Sequence, residues 1–411
     1  MRIKTALIKL LHLKSWKDLG RLPRPLWFLS FAALINRMGT MAVPFLVLYL
    51  TQQEKLSAER AAFALALYGA GAMLGSLFSG WLCDRWHPLR VMQSSLLMSS
   101  IFLLSFPSVH GHALIYAVTF VWGLVTESYR PASMVLVSDI APAPQRKQAF
   151  VLYRLAINLG MSIGPAIGGF LAEVSFRSIF VVDGIFTFGT FLIMIFGMRE
   201  TAAKKTAATS SEEKSRRNGF VTALSDLRYM AFLAGVTFIG IVFFQHESSM
   251  PLFMVNDLRL LPSVYGMMFT INAAMIVFLE VPVNAATEHW SYRKTLIVGA
   301  MLFAIGNGAL LFVSSGLGVA LTVAIWTVGE MIFFPSSAAY ISEMAPSRNR
   351  GQYMALFNLS FSFASMFGRW AGTLVLVQLG ANALWIGVFL LGCIASAIFA
   401  RTQAARTASS G

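Results

Sequence analysis

Nine ionisable side chains other than histidine stand inside otherwise apolar stretches of this chain: Arg37, Glu127, Arg130, Arg154, Asp183, Glu247, Glu280, Glu330 and Arg369. Glu127 and Arg130, within "FVWGLVTESYRPASMVLVSD" (120–139), are three residues apart, so a helix places them on one face. Charges held where water is scarce do two kinds of work: they pair and bind polar solutes, or an acid loads and releases a proton. Glu330 has Trp326, Thr327, Phe333 and Phe334 at its helical neighbour positions and no cation among them. It is the leading candidate proton carrier, with Glu280, Glu247 and His246 assisting. Arg37, Glu127, Arg130 and Arg154, together with Asn158 and Asn272, are the candidate residues of a central substrate cavity. Adjacent residues diverge by about 100° on a helix, so His246 and Glu247 are not expected to pair directly. Asp183, near the end of its segment, is expected to reach water. Arg369 is expected to pair with an acid or to cap an outer gate.

The solvent around these charges follows from composition. Hydrophobic residues make up 57% of the 411 and charged residues 12%, against roughly 25% charged in soluble domains. Apolar segments of about 20 residues, long enough to cross a bilayer, recur without β alternation, so they read as helices. Twelve spans are predicted at 26–50, 60–83, 89–107, 112–139, 146–172, 177–197, 227–254, 262–286, 293–314, 317–342, 350–378 and 382–402. A charge at bilayer depth costs about 2.5–3.5 kcal/mol on insertion scales. Each of the nine must therefore face a wet cavity, pair, or both.

The net charge of +14 does not indicate nucleic acid, because its distribution follows the spans. Most Lys and Arg fall on one side, and only Lys55, Arg60, Arg177 and Arg259 on the other. The basic side is then cytoplasmic, with both termini there. The start "MRIKTALIKLLHLKSWKDLG" gathers Leu7, Leu10, Leu11, Leu13 and Trp16 on one apolar face, as a short helix lying on membrane lipid would. Cys83 and Cys393 are too far apart in the chain to suggest a disulfide framework. The 34 Phe and 21 Met suit either an adaptable pocket or a lipid-facing surface.

The chain also repeats itself. Shifted by 204 residues, "LCDRWHPLRVM" (82–92) lies over "ATEHWSYRKTL" (286–296), and "WGLVTESYRPASMVLVSDIAPAPQRKQAFVLY" (122–153) over "WTVGEMIFFPSSAAYISEMAPSRNRGQYMALF" (326–357). Trp122 meets Trp326, Pro131 meets Pro335 and Arg146 meets Arg350, while Arg369 takes the place of Pro165. An even number of spans separates matched positions, so the two copies run parallel. The division expected is a cytoplasmic amphipathic segment 1–24, a six-helix bundle 25–198, a cytoplasmic linker 199–225, a second six-helix bundle 226–403 and a cytoplasmic tail 404–411.

An all-α polytopic membrane protein of twelve helices in two parallel six-helix pseudo-repeats resembles the major facilitator superfamily of transporters. The loop "GWLCDRWHPLR" (80–90) resembles that superfamily's signature, with Gly80, Asp84, Arg85 and Arg90 in place, and departs from it where His87 and Pro88 occupy the turn. "GMSIGPAIGG" (160–169) resembles the motif of the drug/proton antiporter families at Gly160, Gly164, Pro165, Gly168 and Gly169. "VGEMIFFP" (328–335) is similar to a segment of some proton-coupled multidrug and peptide carriers. The resemblance implies a gating role for the loop, with Asp84 latching Arg146 or a helix end, and alternating access to a cavity between the halves. Independently, three glycines at four-residue spacing allow a second backbone close to span 5, and Pro165 removes a donor and tends to bend the helix.

No HExxH, P-loop or paired CxxC is present, and "GMSIG" as a hydrolase elbow would need a strand–turn–helix context. The chain therefore reads as a non-enzyme without cofactor or metal, expected to be monomeric in a bacterial inner membrane. The function expected is proton-coupled export of small amphipathic compounds. The alternatives are proton-coupled import of a peptide, sugar, siderophore or other metabolite, and a non-transporting sensor or lipid-handling protein.

Overall fold

The computed structural model describes residues 22–142, 145–198, 223–345 and 350–401. The interfacial helix, most of the linker and the tail expected from sequence lie outside them, and so do the side chains of Gly80, Asp84 and Arg146, hence the Asp84 latch. The described residues contain helices and no strand. Spans 1–3 are Arg24–Gln53, Ala58–Arg85 and Pro88–Ser108. Span 4 is His112–Glu127 followed by Tyr129–Ile140; spans 5 and 6 are Arg146–Val174 and Phe176–Gly197. Spans 7–10 are Leu227–Asp257, Pro262–Thr287, Tyr292–Phe312 and Gly316–Met344. Spans 11 and 12 share Arg350–Arg401, divided at Gly380, whose φ of 87° and ψ of 169° leave the helix where the sequence places the last turn.

Helix contacts divide the described residues into two compact units. The first joins spans 1–6 with Met250–Phe278 of spans 7 and 8; the second holds the rest of spans 7 and 8 with spans 9–12.

Spans 1 and 7 show the 204-residue repeat at the level of backbone geometry. Both leave α-helix at equivalent residues, after Gly39 and after Phe243. Both resume a short α segment and end in a π turn, Tyr49–Gln53 and Phe253–Asp257. Both are followed by a non-glycine residue in the left-handed region, Lys55 and Arg259, each with φ 56°. Pro44 and Pro251 stand just beyond the breaks, where each removes a backbone donor that a continuous helix would use.

Within the first unit, spans 2 and 4 meet backbone to backbone. A Cβ on Gly75 would lie 2.0 Å from the Leu124 carbonyl oxygen, and one on Gly71 2.0 Å from that of Phe120. The seam is tied by the Ser79 hydroxyl, which donates to Ser128 O at 2.7 Å, and by the Ser128 hydroxyl, which donates to Gly75 O at 3.2 Å. Span 4 breaks at Ser128 because Pro131 offers no N–H to the Glu127 carbonyl. Gly75→Ala must therefore push two helices apart, at a cost of about 1–3 kcal/mol. Gly189, with open space around its Cβ position, should gain up to about 1 kcal/mol of helix propensity as Ala. Melting curves of the two variants in detergent should shift in opposite directions.

Candidate functional site

Three groups of side chains within the spans could do chemistry. The first is a cleft inside the first six spans. Its polar lining includes Asn36, Arg37 and Thr40 of span 1, Glu127 and Arg130 of span 4, and Asp183 of span 6. Arg130 Nη1 and Glu127 Oε1 are 3.6 Å apart, the pair expected from their spacing. Arg154 is not in this lining; it is exposed on span 5. Asn158 and Asn272 are half-buried and likewise outside the lining.

Asp183 corrects an expectation. It does not reach the protein surface but is 4% exposed. Its Oδ2 accepts the backbone N–H groups of Ala42 at 3.0 Å and Met41 at 3.3 Å, and its Oδ1 accepts the Thr187 hydroxyl at 3.3 Å. The break in span 1 takes these amides out of the helical pattern, that of Met41 also donating to Gly39 O at 2.6 Å, and span 6 comes close enough to serve them: a Cβ on Gly39 would meet Phe186 Cβ at 2.8 Å. The signals available in the sequence were Gly39 and Pro44 bracketing a possible break, and Asp183 as the lone acid of span 6.

The glycines of span 5 do allow close approach, and the approaching backbone is that of span 1. Positions for Cβ atoms on Gly160 and Gly164 lie 2.7 Å from the carbonyl oxygens of Leu34 and Met38. On an adjoining face Gly169 meets Ser263, and the Pro165 carbonyl lies 2.3 Å from a Cβ on Gly266. Glu173 Oε1 accepts the Ser263 N–H at 3.3 Å, and Thr270 donates to Ser162 O at 2.6 Å.

The second group is an ion pair in the second unit. Arg369 Nη2 contacts Glu247 Oε2, and its guanidinium lies 4.8 Å from the Phe244 ring centre. His246 Nε2 is 3.6 Å from Glu247 Oε1, against the expectation that these neighbours would diverge. The α-helix has ended at Phe243, Phe244–Glu247 is a 3-10 turn, and Ser248 (φ −124°, ψ −69°) is not helical, so α-helical spacing does not apply. The sequence repeat extends to this packing: Gly368 lies against Ile241 and Gly372 against Gln245, equivalent to Gly164 on Arg37 and Gly168 on Met41. Gln245 Nε2 donates to Gly368 O at 2.8 Å.

The third group surrounds the helix turns next to Glu330. Phe243 packs edge-on against Phe334 at 5.5 Å and Trp326 at 6.3 Å, Phe334 packs against Phe361 at 5.5 Å, and His246 stacks on Trp326 at 6.0 Å. Glu330 and Glu280 are half-buried and both engaged with neighbours. Asn284, one turn from Glu280, donates to the Glu280 carbonyl at 2.7 Å and to Met331 O at 3.4 Å. At the helix ends, Arg85 lies over Trp81 at 4.3 Å, His87 caps span 3, and Arg90 is exposed.

The model of the Major Facilitator Superfamily matches residues 26–260 and 248–404, nearly the whole spanning region in two copies. The chain belongs to the Major Facilitator Superfamily. As a member it is an integral membrane transporter, and the expected fold of twelve helices in two six-helix repeats holds. It is 25% identical over 390 residues to the uncharacterized MFS-type transporter YqjV of Bacillus subtilis (strain 168), covering 92% of this chain and 94% of that one. It is 23% identical over 359 residues to Multidrug resistance protein 2 of the same strain, covering 80% and 87%. A crystal structure of a peptide transporter POT mutant shares the fold with a TM-score of 0.78 at 16% identity, covering 94% of this chain and 97% of that one.

Proposed function

We propose that this superfamily member is a secondary active transporter that exports small amphipathic compounds in exchange for protons. The observation that carries this reading is the stripe of Gly160, Gly164, Pro165, Gly168 and Gly169, which resembles the antiporter motif and meets other helices at backbone distance on two faces. A distant relative named for multidrug resistance supports it. So does the aromatic cluster of Phe243, Trp326, Phe334 and Phe361 next to Glu330, a surface suited to aromatic and cationic solutes. Glu330 carries the proton, with Glu280, Glu247 and His246 assisting. Glu127, Arg130 and Arg37 bind polar parts of the solute. The chain sits in a bacterial inner membrane with both termini cytoplasmic, its division at 25–198 and 226–403 separating the moving bodies, and it works as a monomer.

The second reading, proton-coupled import of a peptide or another metabolite, draws on the "VGEMIFFP" segment of span 10. Direction separates the two. A thermal-shift screen of amphipathic cations and peptides at two pH values selects a ligand, and the protein in liposomes is then given an imposed pH gradient. Ligand movement against the direction of proton flow is the expected result. Movement with the protons would establish import, and no flux of any stabilising ligand would sink both readings.

A further inference from the structure

Asp183 has no part in the exchange just described, yet its surroundings are built for a carboxylate that changes state. Its hydrogen-bond partners are all donors: the amides of Met41 and Ala42 and the hydroxyl of Thr187. An ionised carboxylate accepts from all of them, with the added strength of a charge-assisted bond. A protonated carboxyl turns one oxygen into a donor that the amides cannot receive and only the Thr187 hydroxyl can accept, and the bonds from the two amides lose their charge assistance. Proton binding therefore weakens the grip on span 1, because both draw on the charge of one carboxylate.

The grip falls at a hinge. Span 1 leaves the helix at Thr40 (φ −70°, ψ 67°), and Met41 and Ala42 are the first residues beyond. A proton has a route as well. The cleft that reaches Asp183 and Thr187 is also lined by Glu127 and by Arg130, whose side chain is 66% exposed. Two buried donors of the lining, Trp122 Nε1 and Arg37 Nε, have no hydrogen-bond partner among the described residues. Buried donors of this kind are ordinarily served by water, and a chain of waters is what a proton needs. We propose that Asp183 is a proton-binding carboxylate that fastens the break in span 1 when ionised and loosens it when protonated, reached through the polar cleft of the first six spans.

The groups around Asp183 are few. Span 1 contributes Arg37 and, at its far end, Tyr49, whose hydroxyl donates to Glu54 at 2.9 Å; Glu54 in turn meets His110 at 3.3 Å. Span 4 contributes Glu127, Tyr129 and Arg130 to the cleft, and span 2 contributes Tyr68. Span 5 carries Arg154, exposed, and Glu173, which holds the Ser263 amide. Span 3 offers the cleft only uncharged residues, among them Ser95 and Ser99, and span 6 itself adds Arg177 near its start. None of these is a hydrogen-bond partner of Asp183, so the amides of the hinge are the groups that feel its proton first.

The proposal is independent of the direction of transport, and its test reads structure rather than flux. Full-length protein in nanodiscs is titrated while infrared difference spectra follow carboxylic acid carbonyl bands and hydrogen exchange follows a peptide containing Met41 and Ala42. The expected result is a carboxylic acid band that grows as pH falls and is missing in Asp183→Asn. Exchange at Ala42, corrected for its intrinsic pH dependence, should rise by roughly tenfold over the same interval, the worth of the charge in such a bond. Asp183→Asn should show the faster exchange at every pH, and Thr187→Val should keep the pH dependence. If Asp183→Asn fails to fold, the wild-type exchange series decides alone. Corrected exchange at Ala42 that stays constant with pH, or a band unchanged in Asp183→Asn, would overturn the proposal.

Discussion

Liposomes containing Glu330→Gln should let the transported compound equilibrate across the membrane but never accumulate it. Each unit of pH difference is worth about 1.4 kcal/mol per proton, a tenfold concentration ratio. A gradient of two units thus supports up to about hundredfold accumulation for one coupled proton, and the variant should fall to a ratio of one. Glutamine keeps the shape of the side chain and its hydrogen-bonding capacity on a half-buried face of span 10, so thermal stability should change by less than about 0.5 kcal/mol. Exchange of labelled for unlabelled compound at equal concentration should persist, because it requires the conformational cycle and no net proton movement. Wild-type accumulation by the variant would remove Glu330 from the mechanism and leave Glu280 as the next acid to test.

Replacing one partner of the Glu247–Arg369 pair should damage the protein more than replacing both. Arg369 is 5% exposed and its guanidinium rests over Phe244. Arg369→Met removes the cation and leaves Glu247 among apolar surroundings with His246 at 3.6 Å. Breaking a buried pair on one side costs about 3–5 kcal/mol, whereas replacing both members is often neutral. Arg369→Met should therefore lower the melting temperature in detergent sharply, and Glu247→Gln with Arg369→Met should recover most of the loss. Equal damage from the single and double variants would mean that the pair contributes through packing and not through charge.

The fold was legible because the bilayer imposes a length and a polarity on each span, and because the 204-residue offset runs without a gap through the loops. Glu127 with Arg130 was legible as well, since helix geometry alone brings residues three apart together. What could not be read were partners from different spans. Glu247 and Arg369 are 122 residues apart, and nothing local says that spans 7 and 11 touch. Asp183 was misplaced for a related reason: depth counted along a helix suggests water nearby, but the true neighbours are two amides freed by a break in another helix. His246 and Glu247 were misjudged because α-helical spacing was applied to residues that lie past the end of the α-helix.

The equivalent interruptions in spans 1 and 7 are secured differently. A single carboxylate holds two amides at one, and a cation from a distant helix engages Glu247 at the other. Two joints of one duplicated design are thus held by different chemistry, and on the proposal above they need not loosen at the same instant. A duplication that began with identical halves would in this way have acquired an order of events, one joint yielding before its twin, without any new element being added to the chain.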